Sequence, residues 1–152
     1  MIDKIKKLLF ISIYFLSIPA HSIEPKNYKY DRQENMENIK TFWCRTEQSY
    51  SYSWKEKKND ISNDSMEFII TDINYKDISA RRIGNIGDAL IFIVNNGPSA
   101  INFIEIFPAG TDTISIYKYT DVRGKFPFTS SRHVTILGTP YQELSIGYCE
   151  ER

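Results

Sequence analysis

Three groups of side chains in this 152-residue chain have types that do chemistry: Cys44 and Cys149, the run Ser130-Ser131-Arg132-His133, and the scattered acids Glu67, Asp72, Asp77 and Glu105. Redox or nucleophilic cysteines usually come as a close pair such as C-x-x-C, whereas these two stand far apart, which predicts a structural bridge. The only other histidine, His21, falls in the N-terminal leader described below. One remaining histidine with acids at no recognisable spacing predicts no zinc site. Serine, base and orienting acid must approach a reacting carbonyl from separate directions, which neighbours in a single strand such as Ser130 or Ser131 and His133 do not do. No G-x-S-x-G, Gly-rich phosphate loop or H-E-x-x-H occurs, and a catalytic carboxylate pair needs tertiary contacts that the spacing does not specify. The expectation is a protein that is not an enzyme, with no metal and no cofactor. Ser131, Arg132 and His133, with Glu105, remain a candidate polar cluster, either for binding or for structure. Should Arg132 or His133 turn inward, it needs a carboxylate or carbonyl partner, for which Glu105 and Asp112 are the candidates.

The elements that position these residues begin after an export signal. Lys4, Lys6 and Lys7 precede an apolar run from Leu8 to Ile18, then Pro19, and small residues at Ala20 and Ser22 suit cleavage before Ile23. An uncleaved anchor is the alternative, although a bilayer-spanning helix needs about 20 apolar residues. No later run is long enough, so no stable membrane insertion is expected after cleavage. Export puts the cysteines where they can oxidise. The expected organisation is a signal peptide at 1–22, a polar arm with a short helix at 23–40 and one β domain at 41–152.

From Thr41 onward, short runs rich in Ile, Phe, Tyr, Thr and Val alternate with Gly, Asn, Asp and Pro, the pattern of antiparallel strands. The predicted strands cover 42–54, 66–73, 76–83, 89–94, 100–107, 113–119, 133–137 and 141–149. Turn chemistry at Asn85-Ile86-Gly87-Asp88, Asn95-Asn96-Gly97-Pro98 and Pro108-Ala109-Gly110 gives hairpin spacings. The fold class is all-β: a single antiparallel meander of seven to eight strands closing into a small barrel or a sandwich. Cys44 in the first strand and Cys149 in the last become neighbours in a closed meander, so their disulfide fastens the seam.

Alternation marks Ile114 and Ile116, and Leu144 and Ile146, as inward faces. The run from Leu90 to Val94 is apolar on both faces, which predicts either a covered central strand or a partner surface. The irregular stretch 121–131 carries Phe126 and Phe128, tucked onto the body or lidding a cavity. Phe92, Tyr117, Phe126 and Phe128 form the candidate aromatic binding surface.

Cleavage takes three of 19 bases and one of 19 acids, leaving 16 basic and 18 acidic residues. With the signs interspersed and Lys55-Glu56-Lys57-Lys58 read as a solvated stretch, no nucleic-acid partner is expected. Phe103-Ile104-Glu105-Ile106, Pro108, Gly110, Ser131-Arg132-His133, Gly138 and Gly147-Tyr148-Cys149 together resemble a group of small uncharacterised exported proteins of Gram-negative bacteria, chiefly alphaproteobacteria. That resemblance implies a periplasmic or secreted location and no known activity. The Ser-Gly and Lys-Gly loop signatures of lysozyme inhibitors are missing, as is the Gly-x-Trp expected of lipocalins. The expected function is binding of a protein partner or a small apolar ligand. The alternatives are a secreted effector acting on a host protein, and a hydrolase or hydrolase inhibitor of the cell envelope.

Overall fold

The inward residues Phe42, Cys44 and Thr46 start a wall that returns to itself eight strands later. The structure, a computed structural model, describes residues 36–63, 65–85 and 87–152. The leader and residues 23–35 of the arm lie outside the described residues. The strands are β1 (Phe42–Ser53), β2 (Lys58–Ser62), β3 (Glu67–Asn74), β4 (Ser79–Gly84), β5 (Gly87–Asn96), β6 (Ala100–Phe107), β7 (Gly110–Tyr117), β8 (Phe126–Ile136) and β9 (Thr139–Glu151). Each pairs antiparallel with its neighbour from β3 round to β9, and β9 closes on β1 from Phe42↔Glu151 to Ser53↔Tyr141. The other edge of β1 is shared: β3 pairs with Phe42 to Arg45, and β2 with Ser49 to Ser53. The result is an eight-stranded closed barrel plus one extra strand, β2. A barrel rather than a sandwich follows from that closure, which leaves no hydrophobic edge in the wall proper.

Cys44 stands directly opposite Cys149 and is bonded to it, with the Cα atoms 4.0 Å apart. Both side chains point inward. Because side chains alternate along a strand, Phe42 and Thr46 on β1, and Gly147, Ser145 and Glu143 on β9, share that inner face. This corrects the expectation for the last strand: Leu144 and Ile146 face outward, and the smaller polar residues between them face in. Gly147 is required there, since a Cβ would lie 2.1 Å from the Arg45 carbonyl oxygen and 2.7 Å from the Phe128 ring.

Three other boundaries differ from the sequence reading. Residues 126–131 are strand rather than loop, so Phe126 and Phe128 point into the barrel, edge-on to Phe42 and Phe68 at ring separations of 5.7 and 5.4 Å. Residues 75–78 are a turn, organised by the Asn74 side-chain oxygen accepting from the Lys76 and Asp77 N–H groups. Lys58, assigned to a solvated run, begins β2.

The end of the barrel near Phe42 is plugged from within the chain. A 3-10 turn, Met36–Asn38, buries Met36, and the following Ile39 is buried too. Tyr75 locks the plug: its hydroxyl donates to the Met36 carbonyl at 2.8 Å, while the Lys40 ammonium lies 5.6 Å from its ring centroid. Burial, and then the Glu37 carboxylate, push the Tyr75 phenol up to about 12 from 10.0. A phenol held neutral in the folded state contributes stability that is fully present below its unfolded value and is lost as pH rises from about 10 through about 12. Tyr75→Phe is therefore expected to cost about 1 kcal/mol at pH 7, from the lost hydrogen bond. It should also unfold less steeply with alkali than the parent; parallel urea-midpoint curves between pH 9 and 12 would refute this account of the plug.

The disulfide spans 105 residues. On the chain-entropy model, closing a loop of that size stabilises by up to about 4–5 kcal/mol. Reduction should lower the urea midpoint accordingly, and an unchanged midpoint with two free thiols confirmed by mass would deny the seam its role.

Candidate functional site

Following paired positions around the inner wall shows where apolar packing gives way to charge. One row runs Ile101, Ile116, Phe128, Gly147, Thr46. The next, toward the end away from the plug, passes from two apolar residues to four hydroxyls: Phe103, Ile114, Ser130, Ser145, Ser49, Ser62. The row after that is ionic: Glu105, Asp112, Arg132, Glu143, Ser51, Asp60. Arg82 reaches the same level from β4, whose pattern puts Arg82 inward and Arg81 outward.

Asp112, only 1 % exposed, is the hub. Its Oδ2 accepts from Arg82 Nη1 at 2.7 Å and from Arg132 Nη2 at 3.3 Å, and its Oδ1 accepts from Ser130 Oγ at 2.8 Å. Arg82 Nη1 also donates to Glu105 Oε2 at 2.9 Å, and its guanidinium stacks 4.7 Å from the Phe68 ring centroid. Glu143 accepts from Tyr141 Oη at 3.2 Å and Ser145 Oγ at 3.1 Å, and Ser145 in turn lies 2.8 Å from Ser49 Oγ. Among the described residues no buried side-chain polar atom lacks a partner. The void at the centre of this girdle is about 10 Å³, lined by Phe68, Arg82, Asp112, Arg132 and Glu143 among others. That is the lower limit for one water molecule. Two guanidiniums facing three carboxylates in a filled space hold strands together; they offer a substrate no room.

The sequence candidates divide between the two sides of the wall. Arg132 and Glu105 are brought into one network, although through Asp112 and Arg82 rather than by touching each other. Ser131 and His133 point outward, with Ser131 Oγ 3.0 Å from His133 Nε2. Among the described residues no carboxylate forms an ion pair with His133, and the acids of the girdle lie behind the backbone. Of the four aromatic candidates only Phe92 and Tyr117 are outside; Phe126 and Phe128 belong to the core, so the four do not make one surface. Tyr117 sits near Tyr119 and Thr129, whereas the row through Phe92 passes Ile104 and meets β7 at Thr113, four residues short of Tyr117.

No protein-family model and no curated protein matches this chain.

Glu143, Ser145 and Ser49 were missed. The signal that finds Glu143 and Ser145 is the parity set by Cys149, because every second residue before an inward cysteine is also inward; Ser49 lies past the register shift between Thr46 and Gln48, so parity counted from Cys44 does not reach it. At the plugged end a second, open hollow of about 580 Å³ lies between Asn38, Ile39, Arg123, Lys125 and Glu150. Beside it, Asp121 orders its turn. Burial raises its carboxyl, but bonds from the Lys125 N–H at 3.0 Å, the Arg123 side chain at 2.7 Å and the Arg123 N–H at 2.8 Å outweigh that and hold it below the usual range.

Removing the hub leaves Arg132 without a carboxylate and Arg82 with Glu105 alone, and breaking a buried ionic network at one partner costs up to about 3–5 kcal/mol. Asp112→Ala should lose that much in urea denaturation, and Asp112→Asn less, because an amide still bonds Ser130. A loss below about 1 kcal/mol for Asp112→Ala would mean that the girdle does not hold the wall.

Proposed function

We propose that the protein is an exported, non-enzymatic β-barrel that acts by binding another protein through the outer face of β5 and β6. The observation that carries this is the apolar cluster standing there in water: Leu90 is 57 % exposed, Phe92 40 %, Val94 57 % and Ile106 65 %. Phe92 pairs across the strands with Ile104, so these side chains lie side by side on adjacent strands. A contiguous outward apolar patch on a protein whose own core is filled is a typical protein-docking feature. A small apolar ligand is the weaker choice, since the void within the girdle is about 10 Å³ and is lined partly by charged side chains.

Export is supported by the leader pattern and by the disulfide across the seam. No helix among the described residues is long and apolar enough to cross a membrane. Against a membrane-spanning barrel stand the outward Thr111, Thr113 and Ser115 of β7, and Thr129, Ser131 and His133 of β8, a polar stripe on the side that lipid would meet. A lipid-embedded barrel has the opposite polarity. The non-enzymatic reading draws on the wall between His133 and the girdle acids.

A benzophenone amino acid placed at position 92 or 106 should photo-crosslink to one discrete protein in envelope extract or culture medium, and at position 129 it should not. Leu90→Asp should abolish the crosslink while leaving the urea midpoint within about 0.5 kcal/mol of the parent, as expected of a surface change. Equal crosslinking from position 129, or none from 92 and 106 in either fraction, would overturn the proposal.

A further inference from the structure

β2 is the one strand whose pairing ends with a single neighbour in the sheet order: its inner edge is bonded to β1, and among the described residues no strand pairs with its outer edge. The β4–β5 hairpin turns back at the Gly84↔Gly87 pair, and β4 reaches β3 only as far as Ile69↔Ile83, so it stops short of β2. An unpaired strand edge is a template for another extended segment.

The two faces of that edge specify what such a segment must carry. On the inner face the ionic row Glu105, Asp112, Arg132, Glu143, Ser51 ends at Asp60. Asp60 is exposed and accepts the Ile61 N–H at 3.0 Å, and among the described residues it has no ion pair with a cation. On the outer face the row Leu144, Tyr50, Ile61 is apolar, exposed, and stops at Ile61. Opposite charges and apolar pairs facing each other across strands are favourable, and like charges are not. A second copy of this strand fits poorly. Two β2 edges paired about Asp60 set carboxylate against carboxylate, while the shift that brings Lys58 to Asp60 sets Lys57 against Ile61.

We propose that the outer edge of β2, from Lys58 to Ile61, accepts an extended strand of a partner protein that places a Lys or Arg opposite Asp60 and a β-branched or aromatic residue opposite Ile61. This deepens the reading of the protein as a binder of proteins and rests on it, at a surface separate from β5 and β6.

The test uses the oxidised protein and two heptapeptides of alternating Val and Thr, one with a central Lys and one with a central Glu. At about 1 mM, where weak binding gives measurable occupancy, the Lys peptide should slow amide exchange in β2 several-fold. It should also bind about fivefold more tightly than the Glu peptide, as cross-strand charge pairs allow. Asp60→Asn should bring the two peptides to equal affinity, and Leu90→Asp should change neither. Unaltered β2 exchange with both peptides, or equal affinities in the parent, would overturn the proposal. So would β2 protection without peptide: growing with protein concentration it would assign the edge to a second copy, and present at every dilution it would mean that this chain already covers the edge. Loss of crosslinking at position 92 with the peptide preference intact would instead count against the β5–β6 surface alone.

Discussion

The bond between Cys44 and Cys149 fixes more than the closure of the barrel. Two cysteines facing each other on adjacent antiparallel strands must both point to the same side of the sheet, and a side-chain period of two then assigns every other residue of β1 and β9 to a side. From Cys149 this runs through Gly147, Ser145, Glu143 and Tyr141 along the inner wall. From Cys44 it runs through Thr46 and, after the register shift between Thr46 and Gln48, through Ser49, Ser51 and Ser53. A slip of one residue at the seam would exchange Ser145 and Glu143 for Leu144 and Ile146. It would also bring a side chain where only Gly147 clears the Arg45 carbonyl and the Phe128 ring. The disulfide, the glycine and the hydroxyl ladder are therefore one constraint, met in three chemistries.

That constraint explains the gradient inside the barrel. Near the plug, Met36, Phe42, Ile70, Ile73 and Phe126 fill the space and need no partners. Farther along, β1 and β9 contribute serines, too small to fill the interior from their side, and Arg82 from β4 and Arg132 from β8 reach into that space. Their long stems cover apolar surface, as Arg82 does over Phe68, while their heads converge on Asp112. Burying such charges carries a desolvation penalty that an apolar core would avoid. Here part of the girdle keeps contact with water, since the Arg132 side chain remains 31 % exposed, and every buried polar atom among the described residues is satisfied. We read the network as a device that sets strand register at the end lacking an apolar plug.

Much of this was legible in the residues, and the failures share a cause. Closure and pairing followed from strand count, hairpin turns and two distant cysteines. The inward faces of Ile114 and Ile116 followed from alternation. The last strand was read backwards because a hydrophobicity rule prefers Leu144 and Ile146 to Glu143 and Ser145, whereas the cysteine parity in the same strand says otherwise. β8 was shortened because Phe126-Pro127-Phe128 suggests a break in a sheet. Pro127 is tolerated because pairing of β8 with β7 extends only to Phe128, so toward that neighbour the missing N–H is not needed. β2 escaped notice because Lys58-Asn59-Asp60 has little intrinsic strand preference and becomes a strand only by lying along β1. Asp112 was legible only as a partner for an inward Arg132 or His133; its place as the hub also needs Arg82, 30 residues before it, which no local spacing joins to Arg132, 20 after.

A barrel wall is one backbone thick, and this divides the chemistry of the chain more sharply than distance does. Ser130 and Arg132 serve the girdle, while Ser131 and His133, their immediate neighbours, face outward. The hydroxyl and imidazole that touch outside thus have no carboxylate behind them, and the carboxylates inside have no imidazole beside them. With the interior committed to packing and charge pairing, the differences between strands are carried by the outer surface. That surface is uneven: Thr, Ser and His over β7 and β8, apolar over β5 and β6, and an unfinished strand edge at β2. Adjacent strands with opposite outer character give one small barrel both an apolar face and a hydrated face. No movement of the wall is required for either, because the faces are set by the same parity that the disulfide imposes at the seam.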